Sequence, residues 1–236
     1  MPVVPFAESH AVPPRRSLWV WALLTVMAQV LFILSWLVAA FWQGPRYSVL
    51  AHSISDMYAV TAPSGLLLVV VLTVCGAVTM IFALFVVWKS LGPGGWTAAV
   101  GSLLLALSIF SLGDLLTPFE RLACRMADPG CSSAAQTANA GGQLDTTLST
   151  AGVMLFLAAG FFLAEAMRKT PGWGGWPWPT RWVMILVAVT FLGDGVLGGV
   201  GLGGLFERLL AAVGAAAIAA LAVGVMRRNR SARTGG

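Results

Sequence analysis

Carboxylates are scarce in this chain, and most of them fall near one end of its apolar segments. The 236 residues contain nine Asp and Glu. Glu8 lies in the N-terminal tail and Glu165 near Arg168 and Lys169, whereas the other seven lie near the opposite ends of the apolar segments: Asp56, Asp114, Glu120, Asp128, Asp145, Asp194 and Glu207. An ionised carboxylate inside a bilayer costs several kcal/mol or stays neutral. The asymmetry is therefore the best functional clue in the sequence.

Four of these acids are predicted to surround one outward-facing pocket. Asp114 and Asp194 each lie 18 residues after a tryptophan, from 96 to 114 and from 176 to 194. That spacing is about 27 Å along a helix and ends near the outer hydrocarbon boundary. The remaining predicted ligand-binding residues are Ser108 and Ser111 below Asp114, Asp145 with Ser149 at the start of a later segment, and Asp56 in the motif His52-Ser-Ile-Ser-Asp56. The alternative is that each acid pairs with Arg121, Arg125 or Arg208, or faces the lipid headgroups.

These residues allow three classes of function. The first is a binding protein whose acidic pocket takes a lipid or a small cationic ligand. The second is a membrane-embedded enzyme of hydrolase or cyclase type on a lipid or isoprenoid, with Asp114 or Asp194 as general acid or base and His52 assisting. An apolar site raises a carboxyl pKa, which lets it donate a proton at neutral pH. The third is a structural accessory subunit. With only His10 and His52 in the chain, no metal ligand set is assigned, and the cofactor stays unknown.

Composition identifies the elements that must position these groups. Hydrophobic residues make up 58%, charged residues only 10%, and mean hydropathy is +0.86. This excludes a soluble enzyme, a disordered chain and a small disulfide scaffold. Continuous apolar runs, without the alternation of a membrane barrel, predict an all-α polytopic bundle of six transmembrane helices. The predicted spans are 17–42, 64–88, 96–117, 144–167, 182–200 and 205–226.

The basic residues predict the orientation. Ten Lys and Arg fall on the side of both termini and four, Arg46, Arg121, Arg125 and Arg208, on the other. The positive-inside rule then places both termini in the cytoplasm, in a multi-pass protein of the cell membrane. The same rule explains the net charge of +5 without nucleic acid as a partner. Residues 1–16 and 227–236 are predicted to be flexible cytoplasmic tails around one domain, 17–226. The lipid bilayer is the predicted partner, and protein partners stay unknown.

An internal repeat at an offset of 80 residues is predicted. Lys89-Ser-Leu-Gly-Pro-Gly-Gly-Trp96 matches Lys169-Thr-Pro-Gly-Trp-Gly-Gly-Trp176, and Leu112-Gly-Asp114 matches Leu192-Gly-Asp194. Phe119-Glu-Arg-Leu122 recurs as Phe206-Glu-Arg-Leu209 at an offset of 87. The repeat would pair helices 2 and 3 with helices 4 and 5 in parallel, unlike the inverted repeats of many transporters.

Cysteines and glycines carry two structural predictions. Cys124 and Cys131 lie in the longest outer connection, where a disulfide is permitted and would brace the loop; two free thiols are the alternative. Gly195 and Gly199 have the small-xxx-small spacing of closely packed membrane helices. A flexible gate beside Asp194 is the alternative there.

Three short motifs are similar to those of a known family. Arg46-Tyr-Ser with His52-Ser-Ile-Ser-Asp56 and Pro63 resembles the first-loop signature of the bacterial and archaeal membrane proteins called domain of unknown function 998. Asp128-Pro-Gly-Cys131 and Gly204-Leu-Phe-Glu-Arg-Leu209 resemble the same family, so the resemblance covers about residues 17–226. It implies six membrane helices and no settled activity. The family often has a histidine where this chain has Asp145, so no metal or acid/base role is transferred.

Overall fold

The described part of the protein is a bundle of helices. A computed structural model describes residues 15–234, with side chains for 16–228, and no strand occurs in that range. The helices are α1 (Arg15–Ala39), α2 (Gly65–Ile81), α3 (Trp96–Ala106), α4 (Ala140–Lys169), α5 (Pro177–Leu197) and α6 (Gly203–Thr234). Glu8, His10 and nearly all of the predicted N-terminal tail lie outside the described residues.

The apolar helices confirm the all-α membrane class. Five of them are long and apolar enough to cross a bilayer: Arg16–Trp42, Gly65–Ser90, Ala140–Lys169, Pro177–Val200 and Gly203–Arg228. A sixth crossing is formed when α3 and the segment Ile109–Leu116, which are bent by 41°, count as one broken span. The predicted third span was drawn as one continuous helix, so the break is a correction to it.

Local chemistry explains two boundaries that differ from the predicted spans. The fourth helix begins at Ala140 because the Asn139 side chain accepts the Gly142 N–H at 2.7 Å and caps the helix. The fifth begins at Pro177, and proline is favoured in the first turn since it needs no hydrogen-bond acceptor there. Polar first turns of this kind do not register in a hydropathy pattern.

The break in the third span lies at Leu107 and Ser108. Ser108 has extended backbone angles, φ −74° and ψ 171°, and its hydroxyl donates to the Leu105 carbonyl at 2.7 Å. A serine side chain that occupies a helix carbonyl competes with the helix itself. Ser108 therefore lies between two helical segments, and the predicted stripe of Ser108, Ser111 and Asp114 along one straight helix is wrong.

Two glycines clamp the segment that follows the break. A Cβ on Gly152 of α4 would lie 2.7 Å from the Ile109 nitrogen. A Cβ on Gly76 of α2 would lie 2.7 Å from the Ser111 carbonyl oxygen and 2.9 Å from the Asp114 carbonyl carbon. Backbone approach this close needs glycine. The segment 109–116 is thus wedged between α2 and α4.

The prediction that Gly195 and Gly199 form a closely packed helix face is wrong for the described part of the chain. A Cβ added at either position meets nothing within 4 Å among the described atoms. Close packing between α5 and α6 instead uses Gly193, which lies against the Phe206 ring. Gly204 lies against the connection that follows α1, 2.8 Å from the Val49 oxygen to its added Cβ.

The connections 43–64, 117–139 and 198–202 gather at one end of the bundle, which we call the loop end. The second connection is closed by the predicted Cys124–Cys131 disulfide, which the structure confirms. It is docked on the first connection by a hydrogen bond from the Val60 N–H to the Leu122 carbonyl at 2.9 Å. The first helix begins, and the last ends, at the opposite end.

Candidate functional site

A cavity of about 450 Å³ opens at the loop end. Five carboxylates line it, each from a different part of the chain: Asp56 of the first connection, Asp114 of the segment after the break, Asp145 of α4, Asp194 of α5 and Glu207 of α6. We call it the carboxylate cavity. Among the described residues that line it there is no lysine and no arginine. Its apolar part is formed by Phe32, Leu72, Phe110, Phe191 and Leu210.

Three of the five carboxylates are held by hydrogen bonds. Asp56 Oδ1 accepts the Met126 N–H at 3.1 Å and the Gln136 side-chain amide at 2.7 Å. Asp145 accepts the Tyr58 hydroxyl at 3.1 Å. These donors fix the acids in place and favour their charged form.

Glu207 is the third carboxylate held by a hydrogen bond, and it accepts the Ile54 N–H at 2.7 Å. This contact joins the start of α6 to the first connection. It fixes the carboxylate at the wall of the cavity, where no lysine or arginine is among the described lining residues. A single backbone donor satisfies only part of the capacity of a carboxylate.

Asp114 and Asp194 differ from the other three acids. No residue in the described range donates a hydrogen bond to either carboxylate or forms an ion pair with it. The nearest feature recorded for Asp194 is that a Cβ on Gly203 would lie 3.2 Å from its Oδ1. Both residues line the cavity.

Asp56 supplies an independent sign of an unfilled site. The residue is 1% exposed, and its Oδ2 is a buried oxygen with no hydrogen-bond partner in the described part of the chain. Burial raises the pKa of Asp56 above its ordinary value, against the Met126 N–H, which lowers it. An orphaned buried carboxylate oxygen is costly, and here it belongs to a residue that lines the cavity.

Two arginines at the loop end, Arg208 and Arg121, direct their hydrogen bonds to groups other than the cavity carboxylates. The guanidinium of Arg208 donates to the carbonyls of Val49 (2.8 Å), His52 (2.7 Å) and Gly204 (2.8 Å), and to the Tyr47 hydroxyl. Arg121 donates to the carbonyls of Tyr58 and Ala59, both at 2.9 Å.

Arg125 does pair with an acid, but with one outside the cavity. It bonds Asp128 at 2.6 Å and the Gln43 carbonyl at 2.9 Å. Although burial acts to raise it, the hydrogen bonds from Arg125 and Thr61 lower the pKa of Asp128. The pairing alternative weighed for these acids therefore describes Asp128 and none of the five cavity carboxylates.

The other predicted residues divide between the cavity and its surroundings. His52 and Ser149 line the cavity. The His52 Nδ1 accepts the Ser48 N–H at 3.1 Å, so a neutral His52 carries its proton on Nε2. Ser111 is fully buried, does not line the cavity, and its hydroxyl has no partner within the described range.

Three cavity residues were missed from the sequence: Glu207, Tyr58 and Gln136. Glu207 carried a signal, since it was one of the seven acids on that side and part of a repeated motif. Tyr58 follows Asp56 closely and is one of only two tyrosines. Burial raises the pKa of Tyr58 well above its ordinary value, which keeps it a hydrogen-bond donor. Gln136 gave no signal, because a single polar residue in a loop is unremarkable.

The carboxylates surround the cavity rather than converge on one point. No three His, Cys, Asp or Glu side chains within the described range are close enough together to hold a metal ion. The arrangement places carboxylates from five parts of the chain around one cavity, where they could accept a hydrogen bond from a cationic group or hold protons.

Comparison with known proteins identifies the family of the chain but no activity. No curated protein and no solved structure matches the chain significantly. A family model described as "Protein of unknown function (DUF998)" matches residues 26–224, which include all five cavity carboxylates and confirm the resemblance seen in the motifs. The chain belongs to this family of unknown function.

Proposed function

We propose that the carboxylate cavity binds a small organic cation whose apolar part rests against the aromatic and aliphatic wall. The observation that carries the proposal is that five carboxylates, and no lysine or arginine among the described residues, line one cavity. Acid clusters in proteins normally include basic partners, because unpaired buried charge is costly. A bound cation supplies the missing partner.

The electrostatic magnitude supports this assignment. Two carboxylates about 8 Å apart, the scale of such a cavity, repel by about 2 kcal/mol at an effective dielectric of about 20. An ammonium group at the same distance from a carboxylate is attracted to it by about the same amount, about 2 kcal/mol, which offsets this repulsion. The gain exceeds that of an exposed ion pair, which is about 0–1 kcal/mol.

The shape of the cavity favours an organic cation over a bare metal ion. Its volume lies in the range of small-molecule sites. The acids are too dispersed for a metal cluster within the described range. Phe32, Phe110 and Phe191 offer ring faces and edges on the other wall, and rings attract organic cations.

Binding can be tested with a matched pair of probes. The protein in lipid nanodiscs is titrated with 2-phenylethylammonium and with neutral 2-phenylethanol, which differ in charge and little in size. We expect the ammonium to raise the unfolding temperature and the alcohol to leave it unchanged. Native mass spectrometry of the purified protein gives an independent readout of a retained ligand.

Two variants make the test specific. Asp114→Asn with Asp194→Asn should weaken ammonium binding by tenfold or more. Glu165→Gln is the control, because Glu165 lies at the other end of α4 in ion pairs with Arg168 and Lys169. Equal responses to the two probes, or equal effects of both sets of substitutions, would contradict the proposal. The enzyme and accessory-subunit hypotheses stay predictions. Loss of turnover with binding retained in the Asn variants would favour the enzyme.

A further inference from the structure

Five acids share one cavity with no lysine or arginine among its described lining residues, which disfavours ionisation of all five when the cavity is empty. Burial and like charge both raise the proton affinity of a carboxyl group. We propose that an organic cation entering the carboxylate cavity displaces protons held by its carboxylates, so that the site exchanges bound protons for a cation. This inference rests on the proposed function, and it adds a coupling that simple binding does not require.

The groups that face the cavity support the exchange. The first connection contributes His52, Asp56 and Tyr58, and one carboxylate comes from each of the segment 109–116, α4, α5 and α6. Helices α1 and α2 contribute apolar side chains such as Phe32 and Leu72. The guanidinium groups of Arg121, Arg125 and Arg208 are bound to backbone carbonyls, to the Tyr47 hydroxyl and to Asp128. Protons or an entering cation must therefore balance the acids.

Hydrogen bonding distinguishes which carboxylates hold the exchangeable protons. Asp56, Asp145 and Glu207 accept donors that stabilise their charged form. Asp114 and Asp194 accept none from the described residues. The proton therefore resides preferentially on Asp114 and Asp194.

The exchange balances in atoms and charge. A carboxylic O–H bond of Asp114 or Asp194 breaks as the ammonium enters, and its proton passes to water at the open mouth. An ammonium N–H then donates to the carboxylate that remains. One positive charge enters for each proton that leaves, so no oxidant or further reactant is needed.

A linkage between cation and proton follows directly. When binding releases one proton, Kd falls about tenfold for each unit rise in pH over the range in which the carboxyl group is protonated. The probe does not titrate in that range, because an alkyl ammonium resembles lysine, with a pKa of about 10.4. Any pH dependence between pH 6 and 7.5 consequently belongs to the protein.

The test is calorimetry of 2-phenylethylammonium binding to the full chain in nanodiscs at pH 7. Titrations in phosphate and in Tris, which differ in protonation enthalpy, give the number of protons released. We expect about one proton per ligand, and a Kd that falls close to tenfold per pH unit. Asp114→Asn with Asp194→Asn should abolish the release while weaker binding stays measurable. If that double variant is not monodisperse, Asp194→Asn alone should reduce the release by about half.

His52 is the alternative proton source, and His52→Gln separates it from the acids. Release that persists in His52→Gln supports the carboxylates, whereas its disappearance there overturns the proposal. Equal heats in the two buffers with normal affinity also overturn it, and leave the proposed function standing. Absence of ammonium binding at any pH refutes the proposed function itself.

Discussion

Gly76→Ala should loosen the bundle and the cavity together. Gly76 of α2 crosses the segment 109–116, and a Cβ there would lie 2.7 Å from the Ser111 oxygen and 2.9 Å from the Asp114 carbonyl carbon. Both neighbours are backbone atoms, which cannot swing aside as the end of a flexible side chain can. The substitution must therefore push the whole segment away from α2.

The magnitude follows from these clearances. Ordinary carbon contacts lie at about 3.5–4.0 Å, so the segment must shift by about 1 Å. Overpacking of this kind costs about 1–3 kcal/mol, against which Gly→Ala in a helix gains about 1 kcal/mol. Because the close neighbours are backbone atoms, the upper end of this cost applies, and the expected net loss is about 2 kcal/mol. Because Asp114 moves with the segment, we expect ammonium affinity to fall by about tenfold, or 1.4 kcal/mol.

Gly195→Ala is the matched control. Gly195 is also helical and lies next to Asp194, but a Cβ there meets nothing within 4 Å. Unfolding temperature in nanodiscs and ammonium titration are measured on both variants. We expect Gly195→Ala to equal or exceed the wild-type stability. Equal stability and affinity of Gly76→Ala and Gly195→Ala would refute the clamp and the placement of Asp114.

Three further predictions concern the loop end and orientation. Cys124→Ser with Cys131→Ser should lower the free energy of unfolding by about 2 kcal/mol, from a sequence separation of 7 residues, and unchanged denaturant midpoints would contradict this. Burial raises the pKa of Glu120 to about 8 from 4.5, so the folded protein retains a proton that the unfolded chain has lost. Stability should then fall as pH rises from about 5 to 8; Glu120→Gln should flatten that slope in a plot of unfolding temperature against pH, and a parallel slope would contradict the assignment. Green fluorescent protein should fluoresce when fused at the C-terminus, and alkaline phosphatase should be active when fused after residue 138; the reverse pattern would overturn the predicted orientation.

Composition predicts the helical class and the number of apolar segments well, because every residue of a span contributes to the signal. The break at Ser108 is invisible to that signal, since the apolar run continues through Leu107 to Ile109 without Gly or Pro. What breaks the helix is a hydroxyl bonded to the Leu105 carbonyl, together with the close approach of Gly152. The first is a local side-chain contact and the second a tertiary one, and hydrophobic periodicity contains neither.

The acids of the cavity, unlike the break at Ser108, could be found from the sequence. Charges are so rare that position alone selects them, and Asp56, Asp114, Asp145 and Asp194 all line one cavity. Their role as ligand-binding groups stays a prediction. Ser111 was selected by spacing along an ideal helix, and the break rotates it out of the cavity. The hydrogen bond from Tyr58 to Asp145 depends on how the first connection docks on α4, which no local pattern specifies.

The arrangement of the arginines is the strongest argument that the acids are not merely structural. Arg121 and Arg208 occupy the same place in the repeated motif Phe-Glu-Arg-Leu, and both donate to backbone carbonyls of the first connection. Both arginines thereby bind the backbone at the rim of the cavity. The same positive charges could instead have paired with its acids. If the acids served packing alone, pairing with these nearby guanidinium groups would offset part of their desolvation cost. Because the cations bind carbonyls instead, the five carboxylates keep their capacity for an external positive group.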